Sequence, residues 1–218
     1  MIEFGNLTTK ESFQKNGNRL VETFNQEGKL VRHLVIHPNG EKLETENYGD
    51  WEKTTQYTAE GKPKTAYYFN KNNNIAVTYR YDSEGNTTSE RIVQNVAKPY
   101  EFVTELFYKD KQLVKKTYQS KDFQTIINYK ENGFEQVLSL KNGELSSEVI
   151  KNENGSHQSY TYQNGRIKEM QHQEADGTIT EWKLFNPLTG QILRNYAEEI
   201  RQAQKSVLLD KARHFERE

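Results

Sequence analysis

Among its 218 residues the chain has no cysteine. That removes disulfides, thiolate metal ligands and thiol nucleophiles together. Apolar residues are scarce as well: hydrophobic side chains make up 33% and the mean hydropathy is −1.02, where globular chains carry roughly 45–50% with glycine counted. Such a chain cannot fill a thick, two-sided core. No apolar run approaches the roughly 18 residues of a membrane span, and the opening MIEFGNLTTKE lacks the basic start and apolar stretch of a secretory signal. The expected location is therefore the cytoplasm. Thirty Lys and Arg against 31 Asp and Glu leave a net charge of −1, so no global field draws the chain to nucleic acid or an anionic membrane. There is no G-x-S-x-G elbow, and the glycines stand singly before strands rather than in phosphate-cradling loops before helices. The reading expects no enzyme and no cofactor.

Aromatic side chains are what the sequence has in quantity: 13 Tyr, 10 Phe and 2 Trp. Disordered chains are poor in these residues, so the low hydropathy points to an ordered, thin sheet. Gly133, Gly155 and Gly177 recur every 22 residues, as do Gly143 and Gly165. A two-strand unit is being copied. From residue 61 to 133 the turns fall about every 12 residues, even where glycine is missing. The fold class expected is mainly β: a long antiparallel meander of about 16–18 short strands, twisted or curled, built from two-strand repeats over residues 1–194. An irregularity is expected at 96–99, where VAKP replaces the glycine turn and Pro99 restricts Lys98.

Two hairpin registers follow if the loops hold two residues. Asn16-Gly17 would set Phe13 against Leu20, and the Pro38-Asn39-Gly40 turn would set Ile36 against Leu43 and Val31 against Tyr48. After Tyr196 the pattern changes. Residues 195–218 contain no Gly or Pro, Asn195 suits an N-cap, and Ile200, Ala203, Val207, Leu208, Ala212 and Phe215 form an apolar stripe. A C-terminal amphipathic helix is expected, as a cap on the sheet or as a docking element.

Tyr79-Arg80-Tyr81-Asp82-Ser83-Glu84-Gly85-Asn86 resembles the YD repeat of RHS-type proteins, whose units read Y-x-Y-D-x-x-G-N. NGNRLVETFNQEG at 16–28 and EGKPKTAYYFNKN at 60–72 resemble, more loosely, the MORN-variant repeats of the bacterial YwqK-like antitoxin family, a likeness that runs over about residues 13–190. The Asp after Tyr is missing from nearly all other units, and the helix lies outside the pattern. The resemblance implies a repeat sheet connected with bacterial toxin systems: a non-catalytic immunity or antitoxin protein whose partner is a protein, a toxin encoded nearby. Competing readings are a structural scaffold or RHS-like component, and a glycan-binding protein.

The partner-binding residues expected are Tyr67, Phe69, Tyr79, Tyr81, Tyr160, Tyr162 and Trp182. Tyr67 and Phe69 share a strand face, from which Tyr68 points away. For metals, His33 and His37 stand about 13 Å apart on one strand, too far for one ion. His157 and His172 would face each other across a two-residue Asn164-Gly165 loop. Their neighbours Ser156, Gln158, Gln171 and Gln173 offer no carboxylate, so the pair reads as solvated surface and no metal site is expected.

Overall fold

The computed structural model describes residues 7–203 and residue 205. The chain divides into two compact units, Met1–Lys121 and Asp122–Glu218. The first holds β1 (Thr8–Phe13), β2 (Arg19–Phe24), β3 (Leu30–Ile36), β4 (Lys42–Tyr48), β5 (Trp51–Tyr57), β6 (Pro63–Asn70), β7 (Ile75–Tyr81), β8 (Thr87–Gln94), β9 (Phe102–Lys109) and β10 (Gln112–Gln119). The second holds β11 (Phe123–Tyr129), β12 (Glu135–Lys141), β13 (Glu144–Lys151), β14 (His157–Gln163), β15 (Arg166–Gln173), β16 (Ile179–Phe185) and β17 (Ile192–Asn195). In both units each strand pairs antiparallel with its neighbour in sequence, so the expected β-meander is the observed fold.

Turn chemistry builds this meander. In eight hairpins the chain reverses through three residues, and the first case shows the pattern: Gln14 N–H donates to the Asn18 carbonyl at 2.9 Å and Gly17 N–H returns to the Gln14 carbonyl at 3.0 Å. The same pair of bonds closes the turns that end in Gly28, Gly40, Gly61, Gly85, Gly133, Gly155 and Gly177. All eight glycines have φ between +71° and +88°, the left-handed region that a side chain disfavours.

The third loop residue corrects both hairpin registers. Phe13 stands opposite Arg19, and it is Ser12 that faces Leu20. Ile36 stands opposite Lys42 and Val35 opposite Leu43. Val31 is not paired with Tyr48; its neighbour Arg32 faces Glu46. One extra loop residue slips the pairing by one and moves each side chain to the other face.

Asn142-Gly143 and Asn164-Gly165 do form two-residue loops, with Lys141 opposite Glu144 and Gln163 opposite Arg166. Both residues of each loop have positive φ, as a type I′ turn requires. Asp110-Lys111 makes the same turn without glycine, at φ +51° and +65°. A bulge follows each: Val114, Ser146 and Lys168 have no partner opposite them.

The expected irregularity near Pro99 is an ordered seven-residue connection, 95–101, between β8 and β9. Asn74 Nδ2 donates to the Val96 carbonyl at 2.9 Å, and Ala97 N–H to Glu101 Oε2 at 2.9 Å. The expected cap is displaced by one residue: the Tyr196 carbonyl takes the first helical bond, from Ile200 N–H at 2.9 Å, which puts Tyr196 at the N-cap of a helix that begins at residue 197, while Asn195 Oδ1 accepts from Ala197 N–H at 3.1 Å from the end of β17. The rest of the expected helix, with Val207, Leu208, Ala212 and Phe215, lies outside the described residues.

Burial is shallow. Among the described residues the buried apolar side chains are Ala66, Ala76 and Val93, and no large side chain is fully enclosed. Side chains are instead half-covered by their neighbours on the same face, as the scarcity of apolar residues requires.

Candidate functional site: a tyrosine and carboxylate face

Directly opposed residues of an antiparallel pair lie on one face, so the registers trace rows across a sheet. In the N-terminal unit one row runs Leu34, Glu44, Thr55, Ala66, Tyr79, Glu90, Leu106. Thr55 and Ala66 form its floor, only 3% and 2% exposed. Around this floor the strands raise tyrosines and charged residues. Tyr57 follows Thr55 by two on β5, Tyr68 follows Ala66 by two on β6, and Tyr81 follows Tyr79 by two on β7.

These side chains hold one another in place. Glu44 takes the Arg32 guanidinium on Oε1 and accepts from Tyr57 OH on Oε2 at 2.8 Å. Lys53 Nζ lies 3.2 Å from Glu46 Oε2 and 5.9 Å from the centre of the Tyr68 ring. Tyr68 meets Tyr79 edge to face, with ring centres 5.8 Å apart, and Tyr79 OH donates to Glu90 Oε1 at 3.3 Å. Burial, reinforced by Glu46, pushes the Tyr48 hydroxyl up to about 12. Burial and then the bond to Glu44 raise Tyr57, and burial leads the rise at Tyr79 and Tyr81. All four phenols stay neutral donors at physiological pH. Below them, the Thr55 hydroxyl is buried without a hydrogen-bond partner.

The C-terminal unit repeats the device. Glu148 accepts from Tyr162 OH at 2.8 Å and from Gln136 Nε2 at 2.6 Å, and Gln136 in turn accepts from Asn128 at 3.1 Å. Burial, then the bond to Glu148, pushes Tyr162 up to about 12. Trp182 donates to Glu169 Oε1 at 2.7 Å. Tyr57, Tyr162 and Trp182 thus share one habit, an aromatic donor seated on a carboxylate of the preceding strand.

The seven residues expected from sequence do not form one surface. On β6, Tyr67 and Phe69 share a face, but Tyr67 is opposite Thr78 and Phe69 opposite Ala76. That is the face away from Tyr79 and Tyr81. In the C-terminal unit Tyr160 is opposite Glu148 and Met170, whereas Trp182 is opposite Gln171, which pairs with Ser159. Tyr160 and Tyr162 therefore lie on the face away from Trp182. Trp182 stacks on Tyr196 at 4.3 Å and 23°, and the Arg194 guanidinium lies 4.3 Å from the centre of the same Tyr196 ring.

Sequence reasoning missed Arg32, Glu44 and Lys53, and left Tyr57 and Tyr68 out of the expected partner-binding residues. The signal was present in the alternation of Lys53, Thr55 and Tyr57, but only the register shows that Glu44 and Ala66 flank them.

The histidine pair is also corrected. The bulge at Lys168 shifts the register, so His157 faces Gln173 and His172 faces Gln158. The two imidazoles stand on opposite faces and cannot share an ion; His172 Nε2 instead lies 3.3 Å from Glu174 Oε1. Among the described residues no group of three or more His, Asp and Glu is placed to hold a metal.

The YD-like motif closes its own turn. Asp82 Oδ1 accepts from Glu84 N–H at 2.8 Å and Asn86 N–H at 2.9 Å, while Asn86 Nδ2 reaches Asp82 Oδ2 at 3.2 Å. Those bonds, the one from the Asn86 backbone first, hold the Asp82 carboxyl below its ordinary value. An open depression of about 570 Å³ lies beside this turn, bounded by Asp82, Glu84 and Asn86 and by Tyr108 to Lys111 of the β9–β10 turn. It presents both signs of charge to solvent.

No known family matches the chain, and no curated protein does. Solved structures similar to it include a candidate 6-phosphogluconolactonase from Bacteroides uniformis ATCC 8492, at 8% identity and a TM-score of 0.19, covering 87% of this chain and 80% of that one. They also include TcdB2-TccC3 without its hypervariable C-terminal region, at 14% identity and a TM-score of 0.17, covering 87% of this chain and 15% of that one. Likenesses this loose carry no argument about fold or activity.

Proposed function

We propose that this chain is a non-catalytic, cytoplasmic protein-binding module of the immunity or antitoxin type, which neutralises a bacterial toxin by direct contact. The observation that carries the reading is the face built over Thr55 and Ala66. Tyr and Arg are the side chains that most often dominate protein interfaces. Here they are held in place before any partner arrives: Arg32 and Tyr57 on Glu44, Lys53 on Glu46, and Tyr79 on Glu90 and Tyr68. Such preorganisation lowers the entropy lost on binding. The toxin assignment rests on the repeat resemblance at residues 79–86 and 16–28.

The test is co-expression with the product of the adjacent gene. The reading expects co-purification and protection of growth, with Tyr79→Ala and Tyr68→Ala weakening both while the protein stays folded by circular dichroism. If a toxic neighbouring product neither binds nor is neutralised, the reading fails.

A further inference from the structure

Six Asn-Gly pairs punctuate the chain, at Asn16, Asn39, Asn132, Asn142, Asn154 and Asn164. Asn-Gly is the dipeptide most open to spontaneous deamidation, because glycine puts no side chain in the path of its own backbone nitrogen. In that reaction the glycine nitrogen gives up its proton to water and attacks Cγ of the asparagine. The new N–Cγ bond closes a succinimide as the Cγ–Nδ2 bond breaks, and the side-chain nitrogen leaves as ammonia. Water then opens the ring at either carbonyl, giving aspartate or isoaspartate. One water is consumed, one ammonia is released, and no oxidant or enzyme is needed.

The fold treats the six pairs unequally. In the three-residue turns the attacking nitrogen is engaged: Gly17 N–H donates to Gln14 O at 3.0 Å, Gly40 N–H to His37 O at 2.9 Å and Gly155 N–H to Asn152 O at 3.0 Å. The carboxamides are held as well. Asn16 Oδ1 accepts from Asn18 N–H at 3.2 Å, Asn39 Oδ1 from Glu41 N–H at 3.1 Å and Asn154 Oδ1 from Ser156 N–H at 3.0 Å. A carbonyl acceptor is no base, so it shields the N–H from deprotonation, and both bonds must break before Cγ and N can meet.

In the type I′ loops neither restraint exists. Asn142 and Asn164 sit at φ +52° and +54°. The strands close through the flanking pairs Lys141–Glu144 and Gln163–Arg166, Asn142 N–H donates to the Asp122 carbonyl at 2.8 Å, and the exposed Gly143 and Gly165 make no backbone hydrogen bond through N–H. Asn132 is intermediate, with Gly133 N–H held at a longer 3.2 Å.

We propose that Asn142 and Asn164 are the sites of selective, non-enzymatic deamidation in this protein, both on the type I′ edge of the C-terminal unit. Conversion adds a negative charge at each turn, and the isoaspartate product also lengthens the backbone of a loop that has only two residues.

The test is to incubate the intact protein in mildly alkaline buffer and follow all six sites by peptide mapping with mass spectrometry, in parallel with the same protein in concentrated urea. Folded, Asn142 and Asn164 should convert at least about fivefold faster than Asn16, Asn39 and Asn154, the factor expected for each hydrogen bond that must open first. In urea that spread should collapse. The proposal is overturned if Asn16, Asn39 or Asn154 keeps pace in the folded protein, or if the spread is the same with and without urea.

Discussion

Replacing Gly40 by alanine, beside the same change at Gly61, separates two reasons for glycine in these turns. Both residues close three-residue loops in the N-terminal unit, at φ +87° and +84°. A side chain there carries the left-handed penalty, about 1–2 kcal/mol. Their surroundings differ. A Cβ on Gly61 meets nothing within 4 Å, whereas one on Gly40 would lie 3.0 Å from Ala59 Cβ and 3.4 Å from Ala59 Cα. Ala59 belongs to the next turn along the same edge, and its Cβ cannot swing away without moving backbone. Overpacking of that kind adds about 1–3 kcal/mol.

Gly61→Ala should therefore lose about 1–2 kcal/mol and Gly40→Ala about 2–5 kcal/mol. Urea denaturation followed by tyrosine and tryptophan fluorescence reads both in one unit, so any separate unfolding of the other unit does not confuse the comparison. Adding Ala59→Gly to Gly40→Ala should return the steric part but not the φ part, a coupling that a double-mutant cycle isolates. Equal losses at Gly40 and Gly61, with no rescue by Ala59→Gly, would refute the stacked-turn reasoning.

Other outcomes follow from the same geometry. Lys111→Gly should raise stability by about 0.5–1 kcal/mol, since it relieves the left-handed penalty at φ +65° and returns part of it as glycine entropy; thermal unfolding checks it. Tyr57→Phe should lose about 1–2 kcal/mol by leaving Glu44 Oε2 without its donor, read by urea titration. The Asp82 carboxyl is held below its ordinary value by the Asn86 backbone N–H, so its contribution is complete above the unfolded carboxylate pKa and disappears as pH falls through the lowered folded value. Asp82→Asn should flatten that acid limb without opening the turn, because Asn25 Oδ1 accepts from Glu27 and Lys29 N–H in the same geometry.

Strand number and turn position were legible in the sequence because left-handed φ is expensive for most residues other than glycine and, to a lesser degree, Asn and Asp, and so Gly133, Gly155 and Gly177 mark turns. The helix start was legible to within one residue, since the short polar side chain of Asn195 before a helical stripe can accept from a free N–H of the first turn. Register was not legible. Asn16-Gly17 looks the same whether glycine is the second residue of a two-residue loop or the third of a three-residue one, and only Gln14 and Asn18 closing on each other decides. Faces follow register, so the aromatic list mixed Tyr67 with Tyr79, and Glu44, which no spacing rule singles out, went unseen.

The spacing of glycines nevertheless encodes the turn types. From Gly133 to Gly177 the steps are 10, 12, 10 and 12 residues, alternating between the three-residue loops and the type I′ loops. At Gly133 and Gly155 the three-residue loop leaves three residues out of the ladder, whereas at Gly177 a bulge at Thr180 leaves out a fourth. A type I′ loop leaves out two, and its bulge, at Ser146 or Lys168, leaves out a third. From the Gly133 turn to the Gly165 turn both kinds consume the same length of chain, so β11 to β15 keep their phase although glycine shifts by one. If the bulge is this counting device, deleting Lys168 should leave Thr161 opposite Glu169 and every pair beyond it unchanged, at the loss only of local twist. Deleting Gln171 instead should carry the remainder of β15 to the wrong face. Amide exchange across β14–β15 distinguishes the two, and equal disruption by both deletions would sink the argument.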